Sequence, residues 1–273
     1  MPTDLENYFF DLRGYLVLEN AVDPAHLAEL NTCLDQYRDL EPQQWRGHVH
    51  RADHFYANGI EIQNIVEAGE PFERLIDHPA WLAHMREYVG ETGTFVDGLY
   101  IDECFATIRA TGGFLPIHSG GHESIVRNQY RFTRGKFHCG QVNILIALAD
   151  IGPGDGATMV IPGSHHSSLV HPACAASFKE RHTMDQVEGA VEMHLKAGDA
   201  LLFADAVAHG ASTRTNPGER RVVIYRYGGS WGNTRYGYQY SDELLARLTP
   251  ERRKILQPIV PLRPPADEQR ING

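Results

Sequence analysis

The sequence predicts a mainly β domain, a double-sheet jelly roll that carries a layer of helices at its N-terminal end. Helical spacing of apolar residues is concentrated in the first 90 residues and returns only in a short C-terminal stretch. From Thr92 onward, short apolar runs alternate with turn sequences such as Gly152-Pro-Gly-Asp-Gly156 and Asn216-Pro-Gly218. Many short strands, with helices gathered at the front, are typical of a jelly roll with a helical cover.

The N-terminal part is predicted to contain one strand, two helices and a long loop. The apolar run after Gly14 predicts a short buried strand. Asp23-Pro24 predicts the start of a helix, because Asp is favoured at the N-cap and Pro at the first helical position. Residues 41–66 are polar and irregular, which favours a loop of the kind that closes over a ligand. Residues 71–90 predict a helix broken near Pro79.

The remaining elements complete a single predicted domain over residues 1–273. The predicted strands cover residues 94–101, 104–109, 138–148, 157–161, 191–195, 200–203 and 221–227. Ser241 is the expected N-cap of a last helix, which a proline-rich tail follows. We therefore expect a helical layer mainly over 23–90, a jelly-roll core over about 92–230, and a C-terminal helix and tail over 240–273.

Composition narrows the partners that can be expected. A formal net charge of -10 argues against binding to a nucleic-acid polymer. The four cysteines form no CxxC pair, which predicts reduced thiols and no thiolate zinc site. No apolar run approaches about 18 residues, so we expect no membrane span and a cytoplasmic protein. A homo-oligomer is compatible with these features, and the partner we expect is a small-molecule substrate.

Two histidines and one arginine define the candidate site. An apolar run ends at His118, within Leu115-Pro-Ile-His-Ser-Gly-Gly121, and His209 follows far downstream. Arg220 comes 11 residues after His209, one predicted strand further on. This layout is typical of a non-haem Fe(II) site that also binds 2-oxoglutarate. The acid of a His-x-Asp/Glu unit would stand at position 120, where this chain has Gly120.

Three phrases together resemble the phytanoyl-CoA dioxygenase family over about residues 9–230. The three phrases are Asp11-Leu-Arg-Gly-Tyr-Leu-Val-Leu-Glu-Asn20, Asp155-Gly-Ala-Thr-Met-Val-Ile-Pro-Gly-Ser-His165 and Gly198-Asp-Ala-Leu-Leu-Phe203. The resemblance implies a double-stranded β-helix, a cupin-like jelly roll, that uses Fe(II), 2-oxoglutarate and O2. It also implies that His118 and His209 bind the iron.

The same resemblance implies which residues bind the cosubstrate. Arg220 is the expected partner of the distal carboxylate of 2-oxoglutarate. Arg221 is excluded from that role, because neighbouring residues of a strand face opposite ways. Gln141 and Asn143 share one face of a predicted strand, and either can hydrogen-bond the cosubstrate.

Gly120 resembles the variant found in Fe(II)/2-oxoglutarate halogenases, in which Gly or Ala replaces the acid and chloride takes the vacated position. This resemblance implies that the substrate radical collects chlorine instead of hydroxyl. Glu123 or His122 could instead supply a third ligand. Two alternatives to a halogenase stay open: a hydroxylase with a two-histidine site, and a non-catalytic jelly-roll binding module.

A basic loop follows the first candidate ligand. It contains Arg127, Arg131 and Arg134, with aromatic residues between them. Arginine forks suit phosphate oxygens, so we predict a small anionic substrate, with a nucleoside monophosphate as the specific hypothesis. The alternative is that these arginines only solvate a loop. Three further histidines are predicted to lie outside the metal site: His138, His165 and His166.

Overall fold

The computed structural model describes residues 1–52, 58–89, 98–119, 125–177, 180–229 and 237–257. Its helices are α1 (Asp4–Arg13), α2 (Pro24–Asp35), α3 (Glu70–Glu73), α4 (Leu82–Val89), α5 (Asp242–Arg247) and α6 (Pro250–Leu256). Its first strands are β1 (Tyr15–Leu18), β2 (Trp45–Arg46), β3 (Val49–Arg51), β4 (Gly59–Gln63), β5 (Leu99–Arg109), β6 (Leu115–His118) and β7 (Phe132–Thr133). The others are β8 (Lys136–Phe137), β9 (Gln141–Ala147), β10 (Thr158–Val160), β11 (Val191–Glu192), β12 (Ala200–Ala204), β13 (His209–Ala211) and β14 (Arg220–Gly229).

The strands form two antiparallel sheets and one small hairpin. The large sheet has eight strands in the order β1-β12-β9-β14-β5-β4-β3-β2, and the small sheet has four in the order β11-β10-β13-β6. Strands β7 and β8 form the hairpin. Strands β9 and β12 are buried at every residue, as expected for strands covered on both faces. The predicted fold class, a jelly roll with a helical N-terminal layer, is confirmed.

Local sequence signals explain the N-terminal helices. The Asp23 side chain accepts hydrogen bonds from the backbone N–H groups of the next two helical residues, and Pro24 opens α2, as predicted. Helix α1 was not predicted, although Thr3 and Glu6 form a reciprocal capping box at its start. Gly14 ends α1 in the left-handed conformation, at φ 81°.

The prediction of a long loop over residues 41–66 was wrong. Strands β2, β3 and β4 extend the large sheet instead, and β4 pairs antiparallel with β5. Ile60 and Ile62 alternate with polar residues, which is a strand pattern too short to be decisive on its own. Residues 53–57, within that predicted loop, lie outside the described residues.

Two other predicted elements differ in extent from those in the structure. The broken helix over residues 71–90 is two separate helices, α3 and α4, joined by turns that end at the buried Trp81. The predicted strands 104–109 and 94–101 belong to one strand from Leu99, because β14 pairs with it along its whole length. Residues 94–97 lie outside the described residues. The four cysteines are unbridged, as expected. In the described ranges, we find no helix that combines the length and the apolar character of a membrane span.

Candidate active site

The two candidate ligands lie opposite each other on neighbouring strands of the small sheet. His118 ends β6, His209 begins β13, and the two residues are register partners. Their ring centroids are 4.1 Å apart. The register shifts by one residue between this pair and the next. Pro116 lies within the shifted stretch and has no N–H to give to the ladder, which suits a bulge on an edge strand.

Backbone carbonyls fix the orientation of both imidazole rings. Nδ1 of His118 lies 2.9 Å from the Pro116 oxygen, and Nδ1 of His209 lies 2.7 Å from the Val207 oxygen. Because a carbonyl oxygen can only accept a hydrogen bond, each Nδ1 carries the proton and each Nε2 carries the lone pair. This is the arrangement in which histidine binds a metal ion through Nε2.

Burial keeps both rings neutral. It lowers the pKa of His209 to about 4. It also lowers the pKa of His118 well below its usual value, and the neighbouring His209 adds to that shift. Both imidazoles are therefore neutral near pH 7, which is the state that binds metal ions. Within the described part of the chain, no group of three His, Cys, Asp or Glu side chains could hold a metal ion. Among the described residues, the histidine pair thus has no third protein ligand.

A cavity of about 370 Å³ lies between the sheets and reaches both histidines. Alternate residues of β14 line one wall, because every second side chain of a strand points to the same face. These residues run from Arg220 to Arg226 and place one guanidinium at each end of the wall. The volume lies in the range usual for small-molecule sites.

Arg220 has the surroundings expected of an anion-binding residue. It is 4% exposed, and its Nη2 donates to the Thr158 hydroxyl at 3.0 Å. Its Nε has no hydrogen-bond partner, and no acid forms an ion pair with it within the described residues. Burial lowers its pKa to about 9, and the nearby Arg109 and Arg214 add to this effect. A buried charge without a counter-ion is costly, so this end of the cavity fits a carboxylate.

Arg221 faces the opposite side of the sheet. Its guanidinium donates to Asn31 at 3.0 Å and to Asp35 at 2.6 Å, both on α2. The alternation predicted for this strand thus places Arg220, and not Arg221, in the cavity.

The two amide residues of β9 differ in position. Asn143 lines the cavity, and its Nδ2 donates to Oδ1 of Asp205 at 3.0 Å. Gln141 is buried outside the cavity lining, and its Nε2 donates to Asp102 at 3.0 Å. Of these two residues, only Asn143 is therefore in place to contact a molecule in the cavity.

The three arginines of the basic loop are not brought together. Arg131 and Arg134 are exposed and lie outside the cavity lining. Arg134 and Gly135 both have positive φ, which suits the two-residue turn of the β7–β8 hairpin. Because both side chains are exposed, neither is placed to bind a substrate in the cavity. Arg127 lies 3.6 Å from the carboxylate of Asp205, in the turn before His209.

Three residues named for the predicted iron site, Gly120, His122 and Glu123, lie outside the described residues. Arg226 was missed, although it has the same strand parity as Arg220 and could have been found from that parity. Asp205 was missed because it lies in a turn between β12 and β13, where no periodicity marks the direction of a side chain.

The two-sheet fold and the paired histidines are those expected of the Fe(II)/2-oxoglutarate-dependent class of proteins. The family model for phytanoyl-CoA dioxygenase (PhyH) matches residues 10–222. The chain belongs to this family. The dioxygenase cdmD of Talaromyces verruculosus is 33% identical over 87 residues, or 32% of this chain. The matched segment spans about a quarter (24%) of the length of cdmD.

Solved structures support the fold. HygX from Streptomyces hygroscopicus, solved with nickel and 2-oxoglutarate bound, has a TM-score of 0.72 and 21% identity, covering 89% of this chain and 94% of its own. SnoN, described as a non-haem α-ketoglutarate-dependent epimerase from nogalamycin biosynthesis, has a TM-score of 0.58 and 16% identity. That match covers 95% of this chain and 92% of SnoN.

Proposed function

We propose that this enzyme chlorinates an unactivated C–H bond of a small polar metabolite, using Fe(II), 2-oxoglutarate, O2 and chloride. The observation that carries the proposal is the set of ligands. Two neutral imidazoles converge at 4.1 Å, and the position at which the acid of a His-x-Asp/Glu unit would stand is Gly120. Bound iron, with 2-oxoglutarate and O2, supplies the oxidising power for such C–H chemistry.

The residues of the chain hold and orient the reactants. His118 and His209 hold the metal ion through Nε2, and the two carbonyl contacts to Nδ1 fix the ring planes. Arg220, oriented by the Thr158 hydroxyl, holds the distal carboxylate of 2-oxoglutarate. The HygX structure with nickel and 2-oxoglutarate supports this pairing of metal and cosubstrate.

Charge balance supports a halide in the open position. Two neutral imidazoles leave the charge of a divalent ion uncompensated, and a small anion supplies part of what a missing carboxylate would have given. Arg226 lines the same cavity as the histidines, and its charge contributes to the lowered pKa of both, after burial. Its guanidinium lies 3.3 Å from Glu103, which holds it in the wall.

A second candidate is hydroxylation without a halide, and Asp205 is the observation that favours it. This carboxylate is 2% exposed and bonds to the cavity residue Asn143. It brings negative charge close to the metal-binding pair without being a ligand in this arrangement. An open position filled by water beside such a carboxylate would suit hydroxylation.

The substrate is proposed only as a small polar metabolite. HygX has been solved with hygromycin B bound, which supports a small molecule at this kind of cavity. The finer hypothesis of a nucleoside monophosphate loses support, since Arg131 and Arg134 are exposed and lie outside the cavity lining.

Chloride dependence tests the proposed reaction. We expect the enzyme, incubated with Fe(II), 2-oxoglutarate, O2 and a metabolite extract, to give products with the chlorine isotope pattern only when chloride is present. Gly120→Asp should lose these products, because a carboxylate would fill the open position. Mass spectrometry with and without chloride makes the measurement. Products that carry oxygen but no chlorine at any chloride concentration would rule out chlorination and leave hydroxylation.

A further inference from the structure

A buried ion pair links the chain segments next to the two candidate ligands. Asp205 stands four residues before His209, and Arg127 stands nine residues after His118. Nε of Arg127 lies 3.6 Å from Oδ2 of Asp205, an ion pair without a hydrogen bond. The Asp205 side chain is 3% exposed and that of Arg127 is 27% exposed, so solvent screens the pair only partly.

The surrounding backbone holds this pair in place. Oδ1 of Asp205 accepts from Asn143 at 3.0 Å, and its backbone N–H donates to the Gln141 oxygen at 3.0 Å. The turn that carries Arg127 packs directly on Gly140, where an added Cβ would lie 1.7 Å from the Val126 oxygen. Only glycine permits this approach, so the position of Arg127 is built into the fold.

The ion pair lies beside the cavity that the two histidines share. Asn143, which donates to Asp205, lines this cavity together with His118 and His209. Asp205 also belongs to the turn that leads into His209, and the Val207 oxygen of that turn contacts the His209 ring. Both charges are therefore placed next to the cavity in which a metal ion and its ligands would lie.

We propose that the Asp205–Arg127 ion pair sets the affinity of the metal centre for a small monoanion such as chloride. The inference rests on the proposed metal site, but not on chlorination as its outcome. With both partners present, their fields largely cancel at the open coordination position. With Asp205 alone, the carboxylate repels an anion there, and with Arg127 alone, the guanidinium attracts it.

Single and double substitutions test the cancellation. Asp205→Asn should tighten chloride binding on the order of tenfold, and Arg127→Gln should weaken it on the order of tenfold. The double variant should return close to the wild-type affinity, because both charges are then gone. Arg127→Lys keeps the charge and should stay within about threefold of wild type. It separates the effect of charge from the effect of shape.

Two further variants serve as matched controls. Asp102→Asn removes a buried carboxylate that holds Gln141 as Asp205 holds Asn143, at the same 3.0 Å. Arg131→Gln removes an exposed arginine of the same loop. Neither should change anion affinity by more than about twofold.

The measurement uses the whole chain, loaded with Co(II) and 2-oxoglutarate under argon. The protein is titrated with chloride and, separately, with azide, and the absorption of the bound cobalt reports anion binding. Opposite shifts for the two single variants, restored in the double, are the expected result. Equal affinities in all variants would overturn the role of the pair but not the proposed function. Binding of azide and not of chloride would overturn chlorination, and the azide affinities would then judge the pair. Binding of neither anion would overturn both.

Discussion

Replacing His118 or His209 by alanine is expected to abolish the Fe(II)-dependent conversion of 2-oxoglutarate to succinate. Groups that only orient a metal ligand commonly change affinity or activity by about 10–100-fold, and losing one of two protein ligands should exceed that. The two rings face each other at 4.1 Å, so the remaining histidine would hold the ion alone. Calorimetric titration with Fe(II) or Co(II) should show the same loss of binding in both variants.

His166→Ala is the matched control for both histidine variants. The side chain of His166 is 50% exposed and lies outside the cavity lining. Succinate formation and metal binding should remain within about twofold of wild type. A His118→Ala or His209→Ala protein that is folded by circular dichroism and still forms succinate at the wild-type rate would remove that histidine from the metal site.

Replacing Arg220 by methionine is expected to raise the KM for 2-oxoglutarate by at least about 30-fold. Truncating one partner of a buried charge pair costs roughly 2–5 kcal/mol, and 2-oxoglutarate would be left without its counter-ion. The KM of Arg220→Lys should lie between those of wild type and Arg220→Met, because lysine keeps the charge but loses the guanidinium fork that Thr158 orients. Initial rates over a 2-oxoglutarate concentration series make the measurement.

Thermal denaturation separates binding from folding in this experiment. Arg220→Met should fold at least as stably as wild type without 2-oxoglutarate, because it removes a buried charge that has no acid partner among the described residues. It should gain little stability when 2-oxoglutarate is added. Arg221→Met alters the residue that faces α2 and should leave the KM within about twofold of wild type. Equal KM values for the two methionine variants would refute the assignment of Arg220.

The features that sequence reasoning predicted depend on local signals. The cap of α2 needs only Asp23 and Pro24, and the opposed directions of Arg220 and Arg221 need only the period of a strand. Turn sequences rich in Gly and Pro separate the later strands and are sufficient for the fold class. The assignment of His118 and His209 depends instead on the family's motif, because each of them stands at one of its ligand positions.

The features that were missed depend on contacts distant in sequence. Strand β4 is stabilised as a strand by its pairing with β5, some 45 residues away, and its five residues do not show this alone. The place of Asp205 is likewise set by Asn143, 62 residues earlier in the chain. The exposure of Arg134 follows from the hairpin turn, which a count of basic residues cannot show.

The place of His118 on β6 has a consequence for the lifetime of the folded chain. Strand β6 is an edge of the four-stranded sheet, and β13 is its one strand partner among the described residues, while Arg181 donates to the Ile117 oxygen at 2.8 Å. An ion bound to both histidines would act as a cross-link between these strands, so the free energy of binding would also oppose fraying of that edge. Open sheet edges are where foreign strands join and aggregation begins. Loss of the bound ion would therefore leave this edge of the sheet freer to fray.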